Sequence, residues 1–209
     1  MTPFWVTLVT FTAFACAGFL ATRFADWATR SWPRYKDAPV VGEPSLAITV
    51  ALALITGLIA STYAARGANP YALALIVLVC LTLDFACYCD LRVGKLPLAV
   101  TLPVLALILA SDLLEHDWIA VISCAVVAAP FAGAAIVTKN KSFSWSDVQL
   151  VMLGALVLNV TLGLLAFAMA CFLAVGVALV RGTLKAPVTF APYLALAIEL
   201  ALLTPSAIR

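Results

Sequence analysis

The sequence predicts an all-α polytopic membrane protein with about eight transmembrane helices, and three observations lead there. Hydrophobic residues make up 65% of the 209-residue chain. With the glycines the apolar share is about 70%, against roughly 45–50% for soluble domains. Charged residues account for only 11%, too few to cover the surface of a soluble core of this length. These charges lie between long uncharged runs. The composition excludes an ordinary soluble enzyme, and it excludes disorder, which requires low hydrophobicity and high net charge. A single membrane-embedded domain over residues 1–209 is expected.

A helix needs about 20 apolar residues to cross the hydrocarbon layer. Uncharged runs of that order occupy 1–22, 44–65, 67–83, 96–111 and 118–138, the third extendable toward Tyr88 if Asp84 is accommodated. The stretch 148–180 holds 33 uncharged residues, which as one helix would measure about 50 Å, too long for one ordinary span. Asn159 to Gly163 is its best break, giving a short helix over 147–158 and a longer one over 163–180. The last span covers 189–204. Pro103, Pro130 and Pro192 fall within predicted spans and read as packing kinks, which neighbouring helices tolerate by re-satisfying the freed carbonyl.

Charge supplies a separate test of this division. No basic residue precedes the first apolar run, as a signal peptide would require, and Arg23, Arg30, Arg34 and Lys36 follow it. The N-terminus therefore reads as outside the cytoplasm. The cytoplasmic segments are then 23–43, 89–97, 138–146 and 181–188, which hold ten of the 12 Lys and Arg; only Arg66 and Arg209 lie opposite. Treating 148–180 as one helix moves Arg181 and Lys185 outside and weakens the bias. The positive-inside rule thus favours eight spans, with both termini outside. Trp27, Trp32 and Tyr35, set among the arginines of 23–43, suit the membrane interface.

A net charge of +2 offers no basic face for nucleic acid. Most of the six cysteines, Cys16, Cys80, Cys87, Cys89, Cys124 and Cys171, sit inside apolar runs, where a small buried hydrophobe is expected and a disulfide framework is not. Cys87 and Cys89 lack the C-x-x-C spacing of a zinc or redox site. The only histidine, His116, follows Asp112 and Glu115 in an acidic loop. No metal or organic cofactor is expected.

Acids in or beside membrane spans are functional candidates by default. There are four: Asp84, Asp90, Asp147 and Glu199. Asp90 sits where the third span ends, in CDLRVGKLP (89–97), and Asp147 where the sixth begins, in SFSWSDVQL (142–150). The charge-derived topology puts both at the cytoplasmic edge. Two carboxylates sharing a site cannot both ionise cheaply, so one retains a proton. The ionised member can then deprotonate water while its partner donates to a peptide carbonyl. The simpler alternative is an acid that marks the interface, with Asp147 capping its helix. Asp84, six residues before Asp90, is about 240° around the helix from it. It reads as a buried partner for a Ser, Thr or Tyr on another span. Glu199 is open between structural pairing and a pathway role.

These motifs together resemble the type IV prepilin leader peptidases, the A24 group of membrane aspartic peptidases. In that family Leu or Ile and then Pro follow the first catalytic aspartate by six and seven residues, as Leu96 and Pro97 follow Asp90. The second aspartate ends a G-x-G-D motif and opens a short apolar helix, as Asp147 opens DVQLVMLGAL (147–156). A late family stretch resembles PVTFAPYLALA (187–197), and GFLATRFADWATRSWPR (18–34) resembles the first helix and its polar exit. The likeness touches nearly the whole chain.

The resemblance implies an aspartic endopeptidase of the bacterial inner membrane, with Asp90 and Asp147 catalytic. Its partners would be prepilin or pseudopilin precursors, whose basic leader lies in the cytoplasm ahead of an apolar helix in the bilayer. There are departures. Ser144 and Ser146 replace both glycines of the motif, Gln149 stands where lysine is common, and Leu98 where Asn or Asp is usual. The bacterial two-function members carry a cytoplasmic cysteine tetrad and methylate the new N-terminus. No cysteine lies between Cys16 and Cys80, so methylation is not expected. Two further readings are a catalytically silent membrane component of a pilus or secretion assembly, and a small transporter using Asp84 and Glu199.

Overall fold

The computed structural model describes residues 4–36, 38, 40–94, 98–139, 144–180 and 189–204. Among them every regular element is a helix: α1 (Phe4–Ser31), α2 (Pro33–Lys36, one turn), α3 (Leu46–Ala65), α4 (Pro70–Val93), α5 (Leu98–Leu114), α6 (Trp118–Val137), α7 (Trp145–Val157), α8 (Val160–Val180) and α9 (Ala191–Leu202). Helices α1, α3, α4, α6 and α8 are long and apolar enough to cross a membrane, whereas α5, α7 and α9 are shorter apolar helices. The protein is an all-helical, membrane-embedded one. The chain divides into two compact units, Met1–Lys95 and Leu96–Arg209.

In the first unit α1, α3 and α4 pack on one another around Ile59, Tyr63, Val79 and Leu83, all almost fully buried. Glycine sets how closely α1 and α3 approach. A Cβ on Gly57 would stand 2.8 Å from the Phe11 carbonyl oxygen and 2.9 Å from the Ala15 Cβ, so only a residue without a side chain fits. Ser45 caps α3 by accepting from the Ile48 N–H, and Asn69 caps α4 by accepting from the Ala72 N–H ahead of a first-turn proline. At the far end of α4, Gly94 adopts φ 61° and donates its N–H to the Asp90 carbonyl. This left-handed stop costs glycine little.

Two helices of this unit are longer than the uncharged runs predict. Helix α1 continues past Arg23 to Ser31, because Ala25 and Ala28 are fully buried and so extend its packed face by two turns. It stops just before Pro33, whose ring disfavours helix at the preceding residue. The expected cytoplasmic segment 23–43 thus begins as helix. Helix α4 continues through Asp84 to Val93, since Asp84 has a partner inside the unit.

In the second unit α7 is central and packs against α5, α6, α8 and α9. Its Leu150, Val151 and Leu153 are completely buried, and Gly154 lies under the Ile198 side chain of α9. The long apolar stretch divides as its length predicts. Leu158 turns extended (φ −101°, ψ 151°), and the Asn159 side chain accepts from the Leu162 N–H at 2.9 Å, opening α8. Pro103 and Pro130 lie inside α5 and α6. Pro192 instead falls in the first turn of α9, where its missing N–H removes no helix hydrogen bond; it starts that helix and does not kink it. His116 lies in the turn between α5 and α6 with φ 58°, next to Asp117, which caps α6 by accepting from the Ala120 N–H at 3.0 Å.

Candidate functional site

Asp147 lies in the first turn of α7 as half of a capping box. Ser144 accepts the Asp147 N–H through its hydroxyl oxygen. In return Asp147 Oδ2 accepts from the Ser144 backbone N–H at 2.8 Å and from its hydroxyl at 2.7 Å. Ser146 Oγ is 2.7 Å from Ser144 Oγ. The two serines that replace glycines in the expected motif are therefore hydrogen-bonded to each other, and Ser144 to the acid. Both recorded bonds go to one carboxylate oxygen, and the location at a helix N-terminus favours negative charge.

Gln149, two residues on, accepts the Thr101 hydroxyl from α5 at 3.0 Å. A lysine, which has no acceptor, could not make this bond. The Cys124 thiol of α6 points to the Met152 carbonyl at 3.7 Å. The start of α7 is thus tied to α5 and its middle to α6.

Asp90 lies in the last turn of α4 and is buried, with 7% exposure. It belongs to the first unit and Asp147 to the second. Leu96 and Pro97, which complete the spacing pattern after Asp90, lie outside the described residues, as do Lys95 and Pro187.

Asp84 and Glu199 are fully buried. Thr56 of α3 donates its hydroxyl to Asp84 Oδ2 at 2.7 Å, the cross-span pairing expected of this acid. The same oxygen would stand 3.1 Å from a Cβ on Gly18 of α1, so three helices converge there. Glu199 lies in α9 within the second unit.

A further polar cluster escaped the sequence reading. Asp26, near the end of α1, forms ion pairs with Arg30 one turn later and with Arg92 of α4. The Tyr88 hydroxyl donates to Asp26 Oδ1 at 3.2 Å. Arg92 is only 6% exposed. Two signals in the sequence foreshadow it: Asp26 is the only acid between residues 23 and 36, and Tyr88 and Arg92 stand four apart on one helix, a spacing that puts both on one face. An aromatic group lies beside it, with Phe24 stacked on Trp27 at 5.3 Å and leaning on Phe85 of α4 at 5.6 Å.

All six cysteines are free. Among the described residues no group of three or more His, Cys, Asp or Glu side chains is placed to hold a metal ion. The sequence matches no protein-family model, and comparison with curated proteins and with solved structures likewise finds no match.

Proposed function

We propose that this protein is a membrane aspartic endopeptidase that removes the leader of type IV prepilin or pseudopilin precursors, with Asp90 and Asp147 as its catalytic carboxylates. The observation that carries the reading is where the two acids sit along their helices. Asp90 occupies the last turn of α4 and Asp147 the first turn of α7, each at the end of a largely apolar helix. In the charge-derived topology both ends belong to the cytoplasmic face of the inner membrane, in an arrangement of eight spans. The resemblance in motif spacing points to the same two residues.

The chemistry needs only water and the two carboxyl groups. One carboxylate removes a proton from water, the oxygen adds to the scissile carbonyl, and the other carboxyl group protonates the carbonyl oxygen. Collapse of the tetrahedral intermediate returns the proton to the leaving amine. A substrate with a polar leader and an apolar helix suits acids at the membrane edge, because the scissile bond reaches water while the helix stays in lipid.

The test is cleavage of a co-expressed prepilin by wild type, Asp90→Asn and Asp147→Asn proteins of matched membrane abundance. Wild type cleaves, and each variant loses at least about 1,000-fold in rate, on the order of 4 kcal/mol of transition-state stabilisation. Retained cleavage in both variants refutes the dyad. The capping box at Asp147 favours one alternative, a catalytically silent membrane component of a pilus or secretion assembly in which that aspartate serves only its helix. Absence of cleavage by wild type selects it.

A further inference from the structure

The last turn of α4 carries Asp90 between two residues that face α1. Tyr88 and Arg92 are four apart and share a side of the helix; Asp90, two residues from each, points about 200° away. Both flanking side chains converge on Asp26, through the Tyr88 hydroxyl at 3.2 Å and the Arg92 guanidinium. Arg30 adds a second guanidinium to Asp26 from the solvent side, its own side chain 62% exposed. The Arg92 side chain, by contrast, is 8% exposed, so its charge depends on Asp26 for compensation.

The main chain of the same turn is held as well. The Val41 N–H donates to the Arg92 carbonyl at 2.7 Å, with Gly42 behind it at 3.4 Å, and the Gly94 N–H closes on the Asp90 carbonyl at 2.9 Å. The strand of chain leading into α3 therefore satisfies a carbonyl that a helix C-terminus ordinarily leaves to water. Side chains grip one face of the turn and backbone donors close its end.

We propose that Asp26 and Arg92 are a positioning pair that fixes the rotation of the α4 terminus and so the direction in which Asp90 projects. A helix end held only by its own hydrogen bonds frays, and reactions that need aligned groups lose rate steeply when a carboxylate is displaced by about 1 Å. The pair acts through the helix and touches no substrate. Its bearing on cleavage rests on the peptidase reading above, whereas the clamp itself does not.

Cys89, fully buried and adjacent to Asp90, reports on the clamp independently of any activity. The purified full-length protein in detergent is treated with a hydrophilic maleimide, and modification of each cysteine is followed by mass spectrometry. Cys89 is protected in wild type. Asp26→Asn and Arg92→Gln, each of which removes one charge of the pair, raise its labelling rate at least tenfold. Asp26→Glu, which keeps the carboxylate, stays within about threefold of wild type, and so does Arg30→Ala. Unchanged Cys89 protection in both charge-removing variants overturns the clamp. Equal exposure in Asp26→Glu and Asp26→Asn overturns the assignment to charge.

Prepilin cleavage is measured on the same proteins. The charge-removing variants lose at least tenfold in kcat with KM within about twofold, and Asp26→Glu recovers most of the rate. Full kcat in a variant whose Cys89 has become exposed overturns the positioning role. If wild type does not cleave while the labelling pattern holds, the peptidase reading fails and the clamp stands.

Discussion

Gly57 and Gly133 are both helical glycines in apolar segments, and their surroundings set them apart. At Gly57 an added methyl group meets the backbone of α1, with the Phe11 oxygen at 2.8 Å, and backbone cannot rotate aside; at Gly133 nothing lies within 4 Å. Gly57→Ala should therefore destabilise the protein by about 1–3 kcal/mol, the usual cost of overpacking. Gly133→Ala should be neutral or stabilising by up to about 1 kcal/mol, since alanine is the better helix former. Reversible unfolding in mixed micelles distinguishes them, and equal behaviour of the two would refute close packing of α1 on α3. The sequence offers no hint of this difference, because neither glycine belongs to a G-x-x-x-G pair and both follow an alanine by four residues. Asp84 shows the opposite case. A buried acid is legible as one that needs a hydroxyl partner, but many Ser and Thr residues qualify, and only the fold selects Thr56, 28 positions away. Asp26 was harder still: it reads as one more cytoplasmic charge until α4 brings Arg92 to it.

At the scale of the helix, the start of α7 joins structure to the proposed chemistry. The capping box uses Ser144 twice, as acceptor for the Asp147 N–H and as donor to its carboxylate. Removing that hydroxyl by Ser144→Ala should cost about 1 kcal/mol, as for other N-cap serines. Ser146→Ala should cost less than half of that, because among the described residues the Ser146 hydroxyl hydrogen-bonds only to that of Ser144. Chemical denaturation of the two variants measures both, and a larger loss from Ser146→Ala would refute this division of roles. Helix existence was legible throughout, since long uncharged runs leave the backbone no other way to satisfy itself in lipid. Helix ends were less so. The break after Val157 follows from run length and from an asparagine suited to capping. The extension of α1 to Ser31 depends on burial of Ala25 and Ala28 against other helices, which the charges of that segment concealed.

For the molecule as a whole, the open quantity is how many helices cross the bilayer. Helix α7 has 13 residues and α9 has 12, so each rises only about 18–20 Å against a hydrocarbon thickness of about 30 Å. Length alone admits five spans. Charge points elsewhere. If α7 and α8 each cross, ten of the 12 basic residues share one side; if the pair crosses only once, Arg181, Lys185 and Arg209 all change sides and the ratio falls to nine against three. Short helices can still complete a crossing when protein shields their ends, and α7 is enclosed by α5, α6, α8 and α9, so little of its backbone meets lipid. The run 181–188 therefore decides the matter. A single engineered cysteine there should react with a membrane-impermeant reagent only when the cytoplasmic face is accessible, in step with one placed at Lys139 and opposite to one at Arg66. Reaction from the other side would remove α7 from the count of spans. It would leave Asp147 and Asp90 at one face all the same, because only α5 and α6 lie between them in the chain, so the proposed dyad depends on the crossings of α5 and α6 and not on that of α7.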